Sequence, residues 1–215
     1  MTARGSMSKD RIRSVNALTA LVRSNGLGID ARKKLTSTQV TEVSKWRSRE
    51  EELSLSIARA EAVRLARHVL TIDEQLTVNE NQLDELVKAS EAAPLLEEAG
   101  FAAISAAKCL TPWSHEGRVR YEAAVASLAG VNPIPASSGN TFSHRLNRGG
   151  DGSLNSALHM VAVTEMAHDA KTREYAEKRR AQGRTNKEIR RCIKRYLTRH
   201  IYRTLNASAT ATQTP

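Results

Sequence analysis

At 215 residues the chain can hold one ordinary domain or two small ones, and 40% hydrophobic content allows a core, while only 4% aromatic content argues against a β-sandwich or barrel. Abundant Ala, Leu, Arg and Glu fit helices packed on small side chains, so the predicted fold class is mainly α. The formal charge of +10 is concentrated: residues 171–205 hold 13 Lys and Arg against three Glu, leaving 20 of each sign elsewhere. So local an excess points to a polyanion, DNA or RNA, whose condensed counterions are released as phosphates are neutralised.

Cys109 and Cys192 form neither a disulfide framework nor a C-x-x-C metal pair, which points to a reducing cytoplasm. No apolar run has the length of a membrane span, and the basic N-terminus leads into SVNALTALV without a small-residue cleavage site. The chain therefore reads as soluble and unexported, with no membrane partner. The opening MTARGS carries no fold signal, and Met7 could also initiate the chain.

Residues 8–25 read as a helix capped by Ser8, with a stripe of Ile12, Val15, Leu18, Leu21 and Val22 and a stop at Asn25-Gly26. From Thr36 to Ala92 there is no Pro or Gly. Leu65, Val69, Ile72, Leu76, Asn79, Leu83 and Leu86 alternate steps of four and three, a heptad seam with one polar residue. Upstream, Trp46, Leu53, Ile57 and Ala60 follow the same steps out of phase. A straight helix over this stretch would be about 85 Å long, too long to bury itself, so an intermolecular coiled coil is the preferred reading. On it Val69, Ile72, Leu76 and Leu83 become buried only in an oligomer. The alternative is an intramolecular hairpin broken near the Arg- and Glu-rich stretch.

Pro94 ends that region. Leu95 and Leu96 then fall on a short helix, Gly100 at a turn, and Ile104, Ala107, Cys109 and Leu110 on a second helix, an arrangement like a helix-hairpin-helix that presents N–H groups to a phosphate. The expected second turn glycine is Ala102, and a structural corner remains open. A small-residue helix, YEAAVASLAG, precedes the long loop VNPIPASSGNTFSHRLNRGGDG, and long loops within compact domains often carry function. A helix with Leu154, Leu158, Val161, Ala162 and Met166 follows, then basic helices from Thr172 to about Leu205 and a polar tail. The expected nucleic-acid contacts in these helices are Arg179, Arg180, Arg184, Lys187, Arg190, Arg191, Lys194 and Arg195.

The segment from SLAGVNPIPASSGNTFSHRLNRGGDGSLNSALHMVAVTEM through TREYAEKRRAQGRTNKEIRRCIKRYLTRHIYRTL resembles the C-terminal domain of the bacterial IS-one-ten insertion-sequence transposases. The resemblance spans roughly Leu95 to Leu205, and DRIRSVNALTALVR and WRSREEELSLSIARAEAVRLA resemble the family's middle region. It implies a resolvase-like nuclease domain, a coiled coil, and a serine-bearing transposase domain that recombine DNA under a structured guide RNA, with Mg²⁺ as cofactor. On this basis 1–29 is expected to be a remnant of the nuclease domain, 30–93 the coiled coil, 94–206 the serine transposase domain, and 207–215 a disordered tail.

The family's serine lies in a motif read here as Pro133-Ile134-Pro135-Ala136-Ser137-Ser138-Gly139, which carries the nucleophile over to Ser138. A serine hydroxyl needs a base or a neighbouring half-site to become reactive, and the motif contains no carboxylate. Of the family's four metal-binding acids only Asp10 is matched. Arg13 stands where the next would be, and the first two would lie upstream, so the chain reads as N-terminally truncated, binding no metal alone and unable to cleave alone. His115, His144, His159, His168 and His200 form no metal-ligand spacing. Arg145 and Arg148 are expected nucleic-acid contacts that could hold the phosphate Ser138 would attack, and His144 beside them is retained as a phosphate contact or proton-transfer candidate. The expected partners are DNA, guide RNA and a second copy of the chain. The alternative is a non-catalytic coiled-coil protein that binds nucleic acid and regulates or competes with the full-length transposase.

Overall fold

The computed structural model describes residues 1–136, 144, 145, 147 and 149–213, and divides into two compact units, Met1–Asn81 and Gln82–Pro215. Helices dominate both, as the composition predicts.

The first unit holds α1 (Thr2–Ser24), α2 (Ser37–Ser44) and most of α3 (Leu53–Lys88), within which the unit boundary falls. Val15, Leu18 and Val22 of α1 are buried in one cluster with Val40 and Val43 of α2 and with Ala58, Ala62, Ala66 and Val69 of α3. The alanines let the helices approach closely, and polar pairs at the rim fix an antiparallel register of α1 on α3. Arg4 donates to the Leu76 carbonyl at 2.8 Å, Arg11 forms a bidentate pair with Asp73, and His68 Nε2 lies 3.1 Å from Asp10 Oδ2. Thr36 and Gln39 form a capping box that starts α2.

Several sequence expectations change here. α1 begins at Thr2, so MTARGS is helical and Ser8 lies inside the helix rather than capping it. Arg4 gives that first turn a tertiary anchor that propensity could not reveal. Ile12 is exposed, while the stop at Asn25-Gly26 stands, with Gly26 at φ +59°. The stretch from Thr36 to Ala92 is broken over 45–52, at the Arg- and Glu-rich segment. There Glu51 pairs with the buried Arg59 at 2.5 Å, and the Arg59 guanidinium sits 5.0 Å from the Trp46 ring centroid. Leu53 and Ile57 are exposed; the buried stripe instead runs through Ala58, Ala62 and Ala66. Val69 and Ile72 are already buried in the single chain, so the expectation that only an oligomer buries them is corrected. α1 supplies apolar partners that the heptad reading sought in another molecule.

The second unit contains the end of α3, a 3-10 turn at Ala93–Glu97, α4 (Ala103–Trp113), α5 (Glu122–Leu128), β1 (Ile134–Pro135), β2 (His144–Arg145), α6 (Gly152–His168), α7 (Ala170–Ala181) and α8 (Asn186–Gln213). Leu154, Leu158, Val161 and Ala162 make α6 the centre of the core, packed on by α4, α7 and α8. Its N-terminus is capped by Asp151, which accepts from the Ser153 and Leu154 amides, and Asp169 caps α7 in the same way. α8 buries Ile189, Ile193, Leu197, Ile201, Leu205 and Ala209 at regular four-residue spacing. Trp113 of α4 is buried and donates its indole N–H to Asn206 at 3.0 Å. These contacts carry the helix through 207–213, correcting the disordered tail expected there. Among the described residues no helix is long and apolar enough to cross a membrane.

Candidate nucleic-acid interface

The long loop between α5 and α6 has a built stem. Ile134 pairs with Arg145 and Pro135 with His144 in an antiparallel ladder. Below it Asn147 donates to Asn132 at 2.7 Å, and the Asp151 amide donates to the Leu128 carbonyl at 2.7 Å. At the base two backbone segments cross at Gly130 and Gly150. A Cβ on Gly150 would stand 2.3 Å from the Gly130 nitrogen, closer than any side chain tolerates, and Gly130 itself has φ +65°. Asn155 of α6 ties the base down by donating to the Ala129 carbonyl at 2.6 Å. The proposed nucleophile Ser138, with Arg148 and the side chain of His144, lies outside the described residues.

Between this stem and α8 lies a cleft of about 430 Å³. Gly130 to Pro133, Arg145 and Asn147 form one wall; Arg191, Lys194, Arg195, Tyr196 and Arg199 belong to the other. Arg199 is answered by Glu122 at 2.9 Å, but among the described residues Arg145, Arg191, Lys194 and Arg195 have no ion-pair partner. Lys194 is half-buried and its Nζ donates to Asn155 Oδ1 at 2.6 Å. Burial, then the nearby Arg191 and Arg190, push its ammonium below the usual lysine range. His159 on α6 is held low by burial and by Lys194 and Arg190, a second sign of concentrated positive potential. An unneutralised cationic cleft of this kind suits a backbone phosphate.

Of the cations singled out in the sequence, Arg145, Arg191, Lys194 and Arg195 thus converge, and Arg190 stands beside them. Arg179, Arg180, Arg184 and Lys187 instead surround the α7–α8 turn. Arg179 donates to Gln182, Arg180 to Asn186, and Arg184 pairs with Glu188 at 3.2 Å, while Lys187 is exposed. Gly100, at φ +86°, lies against α6, where an added Cβ would meet the Val161 carbonyl at 3.0 Å. That close approach gives the glycine a packing role. Asp10 faces His68 and, at 3.4 Å, Arg13. The sequence reading did not single out Asn132, Asn147 or Asn155, whose roles depend on chain crossings, nor His68, which lies 58 residues from its partner.

Next to the cleft, α6, α7 and α8 enclose a groove containing Glu98, Glu165, Asp169 and His200. Glu98 and His200 are 2.7 Å apart. Burial, then Asp169 and Glu98, push the Glu165 carboxyl up to about 7. A carboxyl raised in the folded state favours folding below its unfolded value, and that contribution is lost as pH rises through about 7. Glu165→Gln is therefore expected to raise the melting temperature at pH 8 and leave it nearly unchanged at pH 5. An equal shift at both pH values would show that Glu165 is not the group responsible.

Residues 92–177 match the model of the Transposase IS116/IS110/IS902 family. That segment is similar to the transposase domain of the family. The match runs from the 3-10 turn through the loop stem into α7, and supports a transposition-related function. One wall of the cleft is inside the matched segment; the α8 wall follows it. Among curated proteins, none matches the chain.

Proposed function

We propose that this chain acts as a transposase subunit that binds element DNA and a guide RNA, holding a backbone phosphate in the cleft beside the loop that carries Ser138. The observation that carries the reading is the convergence on the stem of that loop of Arg145, Arg191, Lys194 and Arg195, which have no ion-pair partner among the described residues. In the catalytic form of the reading, the Ser138 hydroxyl attacks a phosphodiester. A serine–phosphorus bond forms, the bond to the departing sugar oxygen breaks, and the serine proton passes in net to that oxygen. The cations contribute by placing the phosphate and countering its developing charge.

Mg²⁺, which the family resemblance implies, does not fit Asp10 alone. Its carboxylate faces Arg13 and His68, and among the described residues no group of three or more His, Cys, Asp or Glu side chains could hold a metal. This favours a composite site in which another subunit supplies the remaining groups. It equally supports the second reading, a nucleic-acid-binding protein that competes with the complete transposase. Self-association along α3 belongs to the proposal as well, supported by the exposed seam residue Leu86.

Strand joining on element-end DNA separates the two readings. The chain is mixed with an intact family subunit whose own serine is replaced by alanine. Joining is expected, and Ser138→Ala in this chain should abolish it. Duplex binding without any joining would establish the competitor reading.

A further inference from the structure

We propose that the cleft between the loop stem and α8 is a single-phosphate clamp anchored by Lys194, with Asn155 as the residue that aims it. This rests on reading the cleft as the nucleic-acid interface.

Lys194 differs from the other cations of the basic segment in how it is held. Its stem is half-buried between α8 and α6, and its ammonium has one fixed acceptor, the neutral amide oxygen of Asn155 at 2.6 Å. Asn155 is fixed in turn, because its own N–H group donates to the Ala129 carbonyl at the base of the loop. One amide side chain therefore links the cation to the stem. An amide acceptor orients the ammonium without neutralising it, and two of its three donors remain for a ligand. A carboxylate there would satisfy the lysine internally. Among the described residues the unpaired charged groups around it are basic: Arg190 and Arg191 on α8, and Arg145 and Arg195 on the cleft walls, with the His159 imidazole of α6 held low beside them and Arg199 answered by Glu122. Burying a lysine among like charges costs stability, and an incoming phosphate relieves that cost.

The experiment measures binding of the full chain to a short DNA duplex by anisotropy. Lys194→Gln is expected to weaken binding about tenfold or more, as for loss of a charge-assisted hydrogen bond in a partly desolvated site. Lys187→Gln removes the same charge from an exposed position and is expected to cost about twofold. Asn155→Asp retains the lysine but gives it a carboxylate partner, and should lose affinity nearly as far as Lys194→Gln. A phosphate favours the ammonium form, so wild-type affinity should fall as pH rises through the lysine's lowered range. Lys194→Arg, which stays charged, should bind at neutral pH and show a flatter profile. Thermal unfolding of each variant separates lost binding from lost folding.

Equal losses for Lys194→Gln and Lys187→Gln would overturn the anchor while leaving the interface standing. So would wild-type affinity in Asn155→Asp, or an unchanged pH profile in Lys194→Arg. No duplex binding by the wild-type chain would remove both the interface and the anchor.

Discussion

Reversing charge at Arg190 and Arg191 together is expected to lower duplex affinity about a hundredfold at low salt and to flatten its salt dependence. Arg191 lines the cleft and Arg190 stands beside Lys194 and His159. Each phosphate contact on duplex DNA contributes a slope of roughly −0.9 to log K against log salt, so losing both contacts should reduce the slope by about 2. The two arginines also depress the Lys194 ammonium, and their removal leaves that lysine charged to higher pH. The loss therefore cannot be attributed to deprotonation of the anchor. Arg184→Glu is a suitable comparison, because Arg184 is already paired with Glu188 beside the α7–α8 turn. An unchanged slope in the double variant would exclude the N-terminal half of α8 from the interface.

The basic segment was visible in the sequence because charge density needs no tertiary information. Which cations matter was not visible. Lys194 differs from Lys187 only through Asn155, 39 residues from it in the chain, and through a loop stem whose own asparagines look like ordinary turn residues. The apolar positions of α6 were legible because Leu154, Leu158, Val161 and Ala162 form one face of a single helix. α3 was legible only in part. Val69 and Ile72 of its heptad seam are buried, but upstream of them burial falls on Ala58, Ala62 and Ala66, where α1 approaches, and alanine carries little pattern of its own. Arg4 shows the same limit: an uninformative N-terminal segment becomes helix because its side chain reaches Leu76 and Glu80.

Gly150→Ala tests the loop stem, and its expected effect on the second unit is large. The added Cβ would lie 2.3 Å from the Gly130 nitrogen, 2.5 Å from its Cα and 2.8 Å from the Ala129 carbonyl carbon. All three are backbone atoms, so no rotamer change relieves the clash and the crossing strands must separate. Overpacking of a well-filled site costs about 1–3 kcal/mol, and here the separation also strains the Asp151–Leu128 hydrogen bond. Gly149→Ala is the control, because its Cβ would meet only the Asn147 side-chain oxygen at 3.5 Å. The denaturant midpoint should fall for Gly150→Ala and hold for Gly149→Ala. Duplex affinity should fall with it even where the variant remains folded, since Ala129 at the same crossing anchors Asn155 and through it Lys194. Wild-type stability in Gly150→Ala would mean that the stem does not cross as tightly as the structure places it, and the cleft it bounds would lose its fixed wall.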